Sequence, residues 1–176
     1  MSAVTATAAD DLRDGAEQAL ALMRRQGFEH AQVSASRQRR HELCVAHNEA
    51  SLLRSTQSNK LQLTGLLDGR RADIEGSEFD PHGMQALVRS LWANVAAAPQ
   101  DAANALSAGQ SAHVTRGDEQ ADTGALADAM RQLLDWRAEH TPSVMLEEAL
   151  AGHTHVRSCT LTTSTSCSPF FGLMYT

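Results

Sequence analysis

The sequence predicts an α/β (α+β) chain: an antiparallel β-meander of four to five strands covered by two helices, followed by a linker and an incomplete second helix-strand-strand unit. Three observations carry this. Apolar residues recur at helical spacing between residues 7 and 26 and again between 81 and 95. The fifty residues between those stretches switch to the two-residue alternation of strands. After residue 122 a helical stripe and strand-like runs begin again.

The first helix spans about Thr7 to Gln26, with Leu12, Ala16, Ala19, Leu20 and Met23 on one face. Thr7 or Asp10 would cap it, Gly27 stops it, and Phe28 lies just beyond. "AQVSASRQRR" then alternates, with Ala31, Val33 and Ala35 on one side, and "HELCVAH", "ASLLRST", "KLQLTGLL" and "RRADIEG" follow as further short strands. Turns are expected at Asn48-Glu49, Ser58-Asn59 and Asp68-Gly69, the last being a strong hairpin signal. Asp80-Pro81 opens the second helix, because proline at the first helical position forfeits no hydrogen bond. Its stripe is Met84, Leu87, Val88, Leu91, Trp92 and Val95. A meander with one apolar face needs such a helix as its cover.

Residues 1–100 form one expected domain, 101–122 a linker rich in Ala, Ser, Gly and Asp, and 123–176 a truncated second unit. Leu126, Met130, Leu133 and Leu134 line a third helix, followed by "SVMLEEAL" and "VRSCTLTTSTS". Superposing Val144 on Val33 aligns helix with helix and strand with strand, a weak internal repeat whose second copy is unfinished. The closing "SPFFGLMYT" is too short for further strands and strongly apolar for an exposed end.

Composition excludes several classes. With 42% apolar and 20% charged residues the chain is neither disordered nor collagen-like, and with 4% aromatics its core rests on Leu, Val, Met and Ala. A net charge of -6 opposes nucleic-acid binding through the overall field, which needs Lys and Arg to neutralise phosphates. If the basic run Arg37-Gln38-Arg39-Arg40 lies on a strand, its side chains divide between two faces and make a poor phosphate-binding stripe. Cys44, Cys159 and Cys167 suggest neither a disulfide framework nor a zinc knuckle. No signal peptide and no apolar run of about 18 residues occur, so the expected compartment is the cytoplasm, without membrane contact.

The stretch "RHELCVAHN" begins like a zinc peptidase signature, but its spacing fails. His41 and His47 are six residues apart, which leaves them about 120° apart around a helix. On a strand they stand about 20 Å apart, whereas two ligands of one zinc each approach within about 2.1 Å. His153 and His155 share one face of an extended segment and lack an identifiable third ligand. Asp10, Asp11 and Asp14 suit the positive end of the first helix. No nucleophile elbow or phosphate-binding glycine loop occurs, so no catalytic, cofactor-binding or metal residue is assigned.

The order of segments from Ala16 to Asp101 resembles the N-terminal domain of the TldD/PmbA family, also called the modulator of DNA gyrase family. The likeness rests on Gly27 ending an Ala/Leu-rich helix, the strand Ala31 to Ser36, and the turn with Asn48 and Glu49. It continues through the Ser/Thr-rich Arg54 to Ser58, the hairpin Asp68 to Arg70, and Asp80 with Pro81. Residues 123 to 166 fit less closely, like the start of the family's middle domain. The resemblance implies a two-part metallopeptidase system that cleaves unfolded peptides and matures peptide antibiotics, with a PmbA/TldE-like, non-catalytic role for this chain. Its expected partners are a TldD-type protein and an unfolded peptide substrate in an oligomeric assembly. Zinc is expected only in the C-terminal half of the catalytic member, on a His-Glu-x-x-x-His motif, so no cofactor is expected here. The glycine that usually follows the turn asparagine is replaced by Glu49, and "HELCVAH" has one residue too many to match the zinc motif. The alternatives are a stand-alone peptide- or protein-binding module and an inactive truncated remnant.

Overall fold

A computed structural model describes residues 3–107, 112–163 and 170–171, with side chains for 11–107 and 112–163. The elements run α1 (Ala3–Gln26), β1 (His30–Ala46), β2 (Glu49–Leu67), β3 (Arg70–Gly76), α2 (Pro81–Ala97), α3 (Thr123–His140), β4 (Glu148–Thr162) and β5 (Phe170–Phe171). The strands form one sheet in the order β3-β2-β1-β4-β5, so the predicted meander of β1, β2 and β3 is present and β4 adds to its far side. The fold class is the predicted one, an antiparallel meander with helices.

The chain packs as two compact units that interleave along the sequence. The first draws on Met1–Arg37, Ser58–Thr115 and Val156–Leu173, the second on Gln38–Gln57, Arg116–His155 and Met174–Thr176. Strands β1, β2 and β4 therefore each contribute to both.

The first unit holds the main core. Leu12, Ala16, Ala19 and Met23 of α1 are fully buried with Ala31, Val33 and Ala35 of β1, Leu61 and Leu63 of β2, and Met84, Val88, Leu91 and Val95 of α2. The small alanines of β1 let helices approach the sheet closely. Gly27 stops α1 in the left-handed region at φ 101°, returning its N–H to the Arg24 carbonyl at 3.1 Å. That turn delivers Phe28 onto Gly65 of β2, where an added Cβ would lie 2.4 Å from the ring. The other side of the ring meets Trp92 of α2 edge-to-face, with centroids 5.1 Å apart. At the far end of the same helix, Asp80 Oδ1 accepts from the His82 and Gly83 N–H groups at 3.0 Å each. These bonds hold the Asp80 carboxyl below its ordinary range. Within this unit β1 and β4 are antiparallel: Thr163 N–H donates to the Ala31 carbonyl at 2.9 Å, and the Ser34 and Thr160 hydroxyls meet at 3.0 Å.

Several local expectations are corrected. α1 starts at Ala3, so Thr7 and Asp10 lie within the helix instead of at its start. The first hairpin turn is His47-Asn48, at φ 52° and 69°, one residue earlier than expected, because asparagine tolerates the left-handed turn position that glycine usually fills. Ser58 and Asn59 form no turn: β2 continues through them, and Asn59 Oδ1 accepts from Arg37 Nε at 3.0 Å. β1 likewise has no break before His41, and the two runs after α3 yield the single strand β4. The Asp68-Gly69 turn occurs as predicted, at φ 49° and 67°. The Gly69 carbonyl accepts from Asp101 N–H at 2.9 Å and from Asn104 Nδ2 at 2.8 Å, tying the start of the helix-free segment 101–107 to the hairpin. In the closing "SPFFGLMYT", the Phe170–Phe171 backbone pairs antiparallel with Thr160 and Cys159; the rest lies outside the described residues, as does Cys167.

β2 carries one more residue than β1 near the first hairpin. Ala46 and Glu49 flank the two-residue turn, so strict pairing would set Glu42 opposite Leu53. Glu42 instead meets Arg54, and Arg39 meets Gln57, each one residue further on. The extra residue is a β-bulge between Glu49 and Arg54.

Replacing Gly65 with Ala forces the Phe28 ring aside. The Gly65→Ala chain should lose about 1–3 kcal/mol of stability, seen as a lower urea midpoint at unchanged slope.

Candidate functional site

The stretch "RHELCVAHN" and the pair His153 and His155 lie in the second unit. Glu42 of the His-Glu pair is buried, with 2% exposure, and is enclosed by two arginines. Arg40 Nη2 lies 2.8 Å from its Oε1, and Arg54 donates to Oε2 from Nη2 at 2.6 Å and Nε at 3.0 Å. This is a charge-assisted clamp on both carboxylate oxygens. The hydrogen bond and charge of Glu42 raise the Arg54 pKa. His41 is half-buried on β1 and His47 is exposed in the turn. A carboxylate held this way is directed at cations of its own chain, so the His-Glu pair does not fit a zinc site.

Next to the clamp, Cys44, Val45, Ala46, His47, Ser51, Glu147 and Glu148 line an open cleft of 660 Å³. The Cys44 thiol is free and half-buried. Asn48 Oδ1 accepts from Leu146 N–H at 2.9 Å, which fixes the approach to β4 against the hairpin turn. The asparagine thus serves the turn with its backbone and the neighbouring segment with its side chain. Among the described residues no group of three or more His, Cys, Asp or Glu is placed to hold a metal ion.

The paired histidines of β4 have separate surroundings. His153 Nε2 lies 3.1 Å from the Asp118 carbonyl oxygen. His155 is buried, and its Nε2 meets no hydrogen-bond partner. Burial first, then the charges of Arg39 and His153, push its pKa below the ordinary histidine value. The basic run is divided as its strand position predicts: Arg39 Nε donates to Gln57 Oε1 at 3.3 Å, and Arg40 turns to Glu42. In the first unit a groove of 480 Å³ between α1 and α2, lined by Asp14, Glu17, Leu22, Pro81, Met84 and Gln85, brings no nucleophile and base together.

Sequence reasoning found the landmarks but not their partners. The alternating charges Arg40 and Glu42 were visible; that Arg54 closes the clamp depends on the hairpin register, which the extra residue shifts.

A sheet of this order, covered by an α1–α2 pair, defines an α/β class of fold. It is the fold of TldE and of proposed DNA gyrase modulators. TldE from Thermococcus kodakarensis superposes with a TM-score of 0.74 over 92% of this chain and 36% of that one, at 12% identity. A proposed modulator of DNA gyrase from Bacteroides thetaiotaomicron gives 0.69 over 93% and 38%, at 14% identity. Another from Thermotoga maritima gives 0.60 over 93% and 37%, at 10% identity. The chain thus spans little more than a third of the length of these proteins, and at these identities the likeness establishes the fold. No protein-family model matches the sequence, and no curated protein does. No helix among the described residues is long and apolar enough to cross a membrane.

Removing both arginines strands a buried carboxylate, whereas neutralising Glu42 frees two half-exposed guanidinium groups. The Arg40→Ala/Arg54→Ala double variant should therefore melt lower than Glu42→Gln in thermal unfolding followed by circular dichroism. His155 supplies a pH dependence. Its folded pKa is depressed, so the unfolded chain takes up the proton first, and stability falls as pH drops below about 6.5. Urea midpoints measured between pH 5 and 7.5 should decline toward acid in the parent chain and decline less in His155→Gln.

Proposed function

We propose that this chain acts as the N-terminal portion of a TldD/PmbA-type peptidase system, in the PmbA/TldE-like, non-catalytic role. The observation that carries the reading is the superposition on TldE, which takes in 92% of this chain. Both the segment order read from the sequence and the superposition point to the same group of proteins. The role is one of assembly: the chain joins a TldD-type partner and helps guide an unfolded peptide to a zinc centre carried by that partner. In this reading residues 1–100 correspond to the family's N-terminal domain, 101–122 to a linker and 123–176 to the beginning of its middle domain. A cytoplasmic setting accords with this role. The clamped Glu42 supports inertness at "RHELCVAHN", since both of its oxygens are already engaged by Arg40 and Arg54.

A second reading, a peptide-binding module, is favoured by one observation. β3 pairs only with Leu61–Leu67 of β2, while the β2 residues from Glu49 to Gln57 are all exposed. An extended peptide could add to that edge through its backbone. The bulge between Glu49 and Arg54 interrupts the edge, which weighs against this reading.

Mixing the chain with a full-length TldD-type protein should give one co-eluting complex in size-exclusion chromatography. The chain alone should leave an unfolded casein substrate intact with or without added zinc. Casein cleavage by the isolated chain that disappears in His41→Ala would overturn the non-catalytic role. Failure to co-elute, together with capture of extended peptides, would favour the module.

A further inference from the structure

The large apolar side chains that stand exposed among the described residues all belong to the second unit: Leu52, Leu53, Leu133, Trp136, Val144, Met145 and Leu150. Among the described residues the first unit, which holds the main core, exposes none of this kind. Such concentration is a feature of interaction surfaces, since singly scattered apolar residues are the rule elsewhere.

Four of these residues lie on the last turns of α3 and on the connection that folds back onto its end. Leu133 and Trp136 are one turn apart on α3. Arg137, on the next position, reaches back with Nη1 to the Val144 carbonyl at 2.6 Å and the Pro142 carbonyl at 3.4 Å, folding the α3–β4 connection onto the helix end. Val144 and Met145 thereby join the same end of α3. His140 stacks on the Trp136 ring at 5.0 Å with 12° between planes and holds its orientation, while the indole remains 54% exposed. A tryptophan fixed yet exposed is the residue type most enriched where binding energy concentrates.

The surroundings are acidic. Asp135, Glu139, Glu147 and Glu148 are exposed, and among the described residues no ion pair joins them to a Lys or Arg, Glu139 lying 3.9 Å from the His140 ring. Of the nearby cations Arg131 bridges Asp128, and the single charge of Arg137, bonded only to backbone carbonyls, leaves the four carboxylates in excess. We propose that Leu133, Trp136, Val144 and Met145 dock a cationic amphipathic helix of another protein, its apolar side on the tryptophan and its lysines or arginines on the acidic rim. Charge selects this occupant. A second copy of the chain, itself at -6, would bring the same rim against its like, and an anionic membrane or nucleic acid has the wrong sign.

The test uses the whole chain and a synthetic amphipathic Leu/Lys helical peptide, with a Leu/Glu peptide of the same pattern as control, in isothermal titration calorimetry. The Leu/Lys peptide should bind and the Leu/Glu peptide should not. Trp136→Ala and Met145→Ala, both at exposed positions, should each weaken binding at least tenfold. Asp135→Asn/Glu139→Gln/Glu147→Gln should weaken it and flatten its salt dependence, and Asp14→Asn, in the acidic groove of the first unit, should leave it unchanged. Equal binding of both peptides, undiminished binding by Trp136→Ala, an equal loss in Asp14→Asn, or no binding would each overturn the proposal. So would a dimer in light scattering that Trp136→Ala dissolves, because the surface would then be filled by a second copy.

Discussion

The packing of the first unit depends on one close approach, the Phe28 ring lying on Gly65. Only a residue without a side chain leaves room there, since an added Cβ would fall 2.4 Å from the ring. The contact fixes the exit of α1 against β2, and the edge-to-face meeting with Trp92 fixes α2 against both. Gly27, at φ 101°, is what permits the chain to leave the helix and present Phe28 within two residues. Two glycines and two aromatics thus determine where both covering helices lie. The alanines of β1 then let α1 settle onto the sheet without spacers. In a chain with so few aromatics, both rings of this pair are spent on positioning the helices.

The second unit is organised by charge more than by volume. Its buried groups include Glu42, which is paired with arginines of β1 and β2, and His155, whose protonated form the nearby Arg39 charge opposes. The enclosed glutamate is where a peptidase-like motif in the sequence becomes a cross-strand brace in the fold. What the sheet does with that brace is stiffen the end of the first hairpin, where Asn48 also anchors the approach to β4. Glu42 is satisfied from both sides by Arg40 and Arg54, whereas the buried Nε2 of His155 has no hydrogen-bond partner.

Legibility in the sequence followed the range of the interactions. The α1 stripe, the Asp80-Pro81 start of α2 and the Asp68-Gly69 turn were all readable, because each is decided by neighbours within a few residues. The uninterrupted course of β1, β2 and β4 was not readable. Polar stretches such as Ser58-Asn59 look like turns until a partner strand supplies Arg37 as a donor. Glu42 was equally opaque, since its second arginine comes from a register that one extra β2 residue shifts. Leu133 belongs to the apolar stripe that helical periodicity marks on α3, yet it is 40% exposed, and only Met130 of that helix is buried.

The antiparallel seam between β1 and β4 joins Ala31 to Thr163, 132 residues later. During translation the open side of β1 therefore waits for a partner that has not yet been made. At 5–20 residues per second the delay is roughly 7–26 s, far longer than a hairpin needs to form. Throughout that interval the nascent meander presents an unpaired edge to its surroundings, and it is then that a chaperone would meet it.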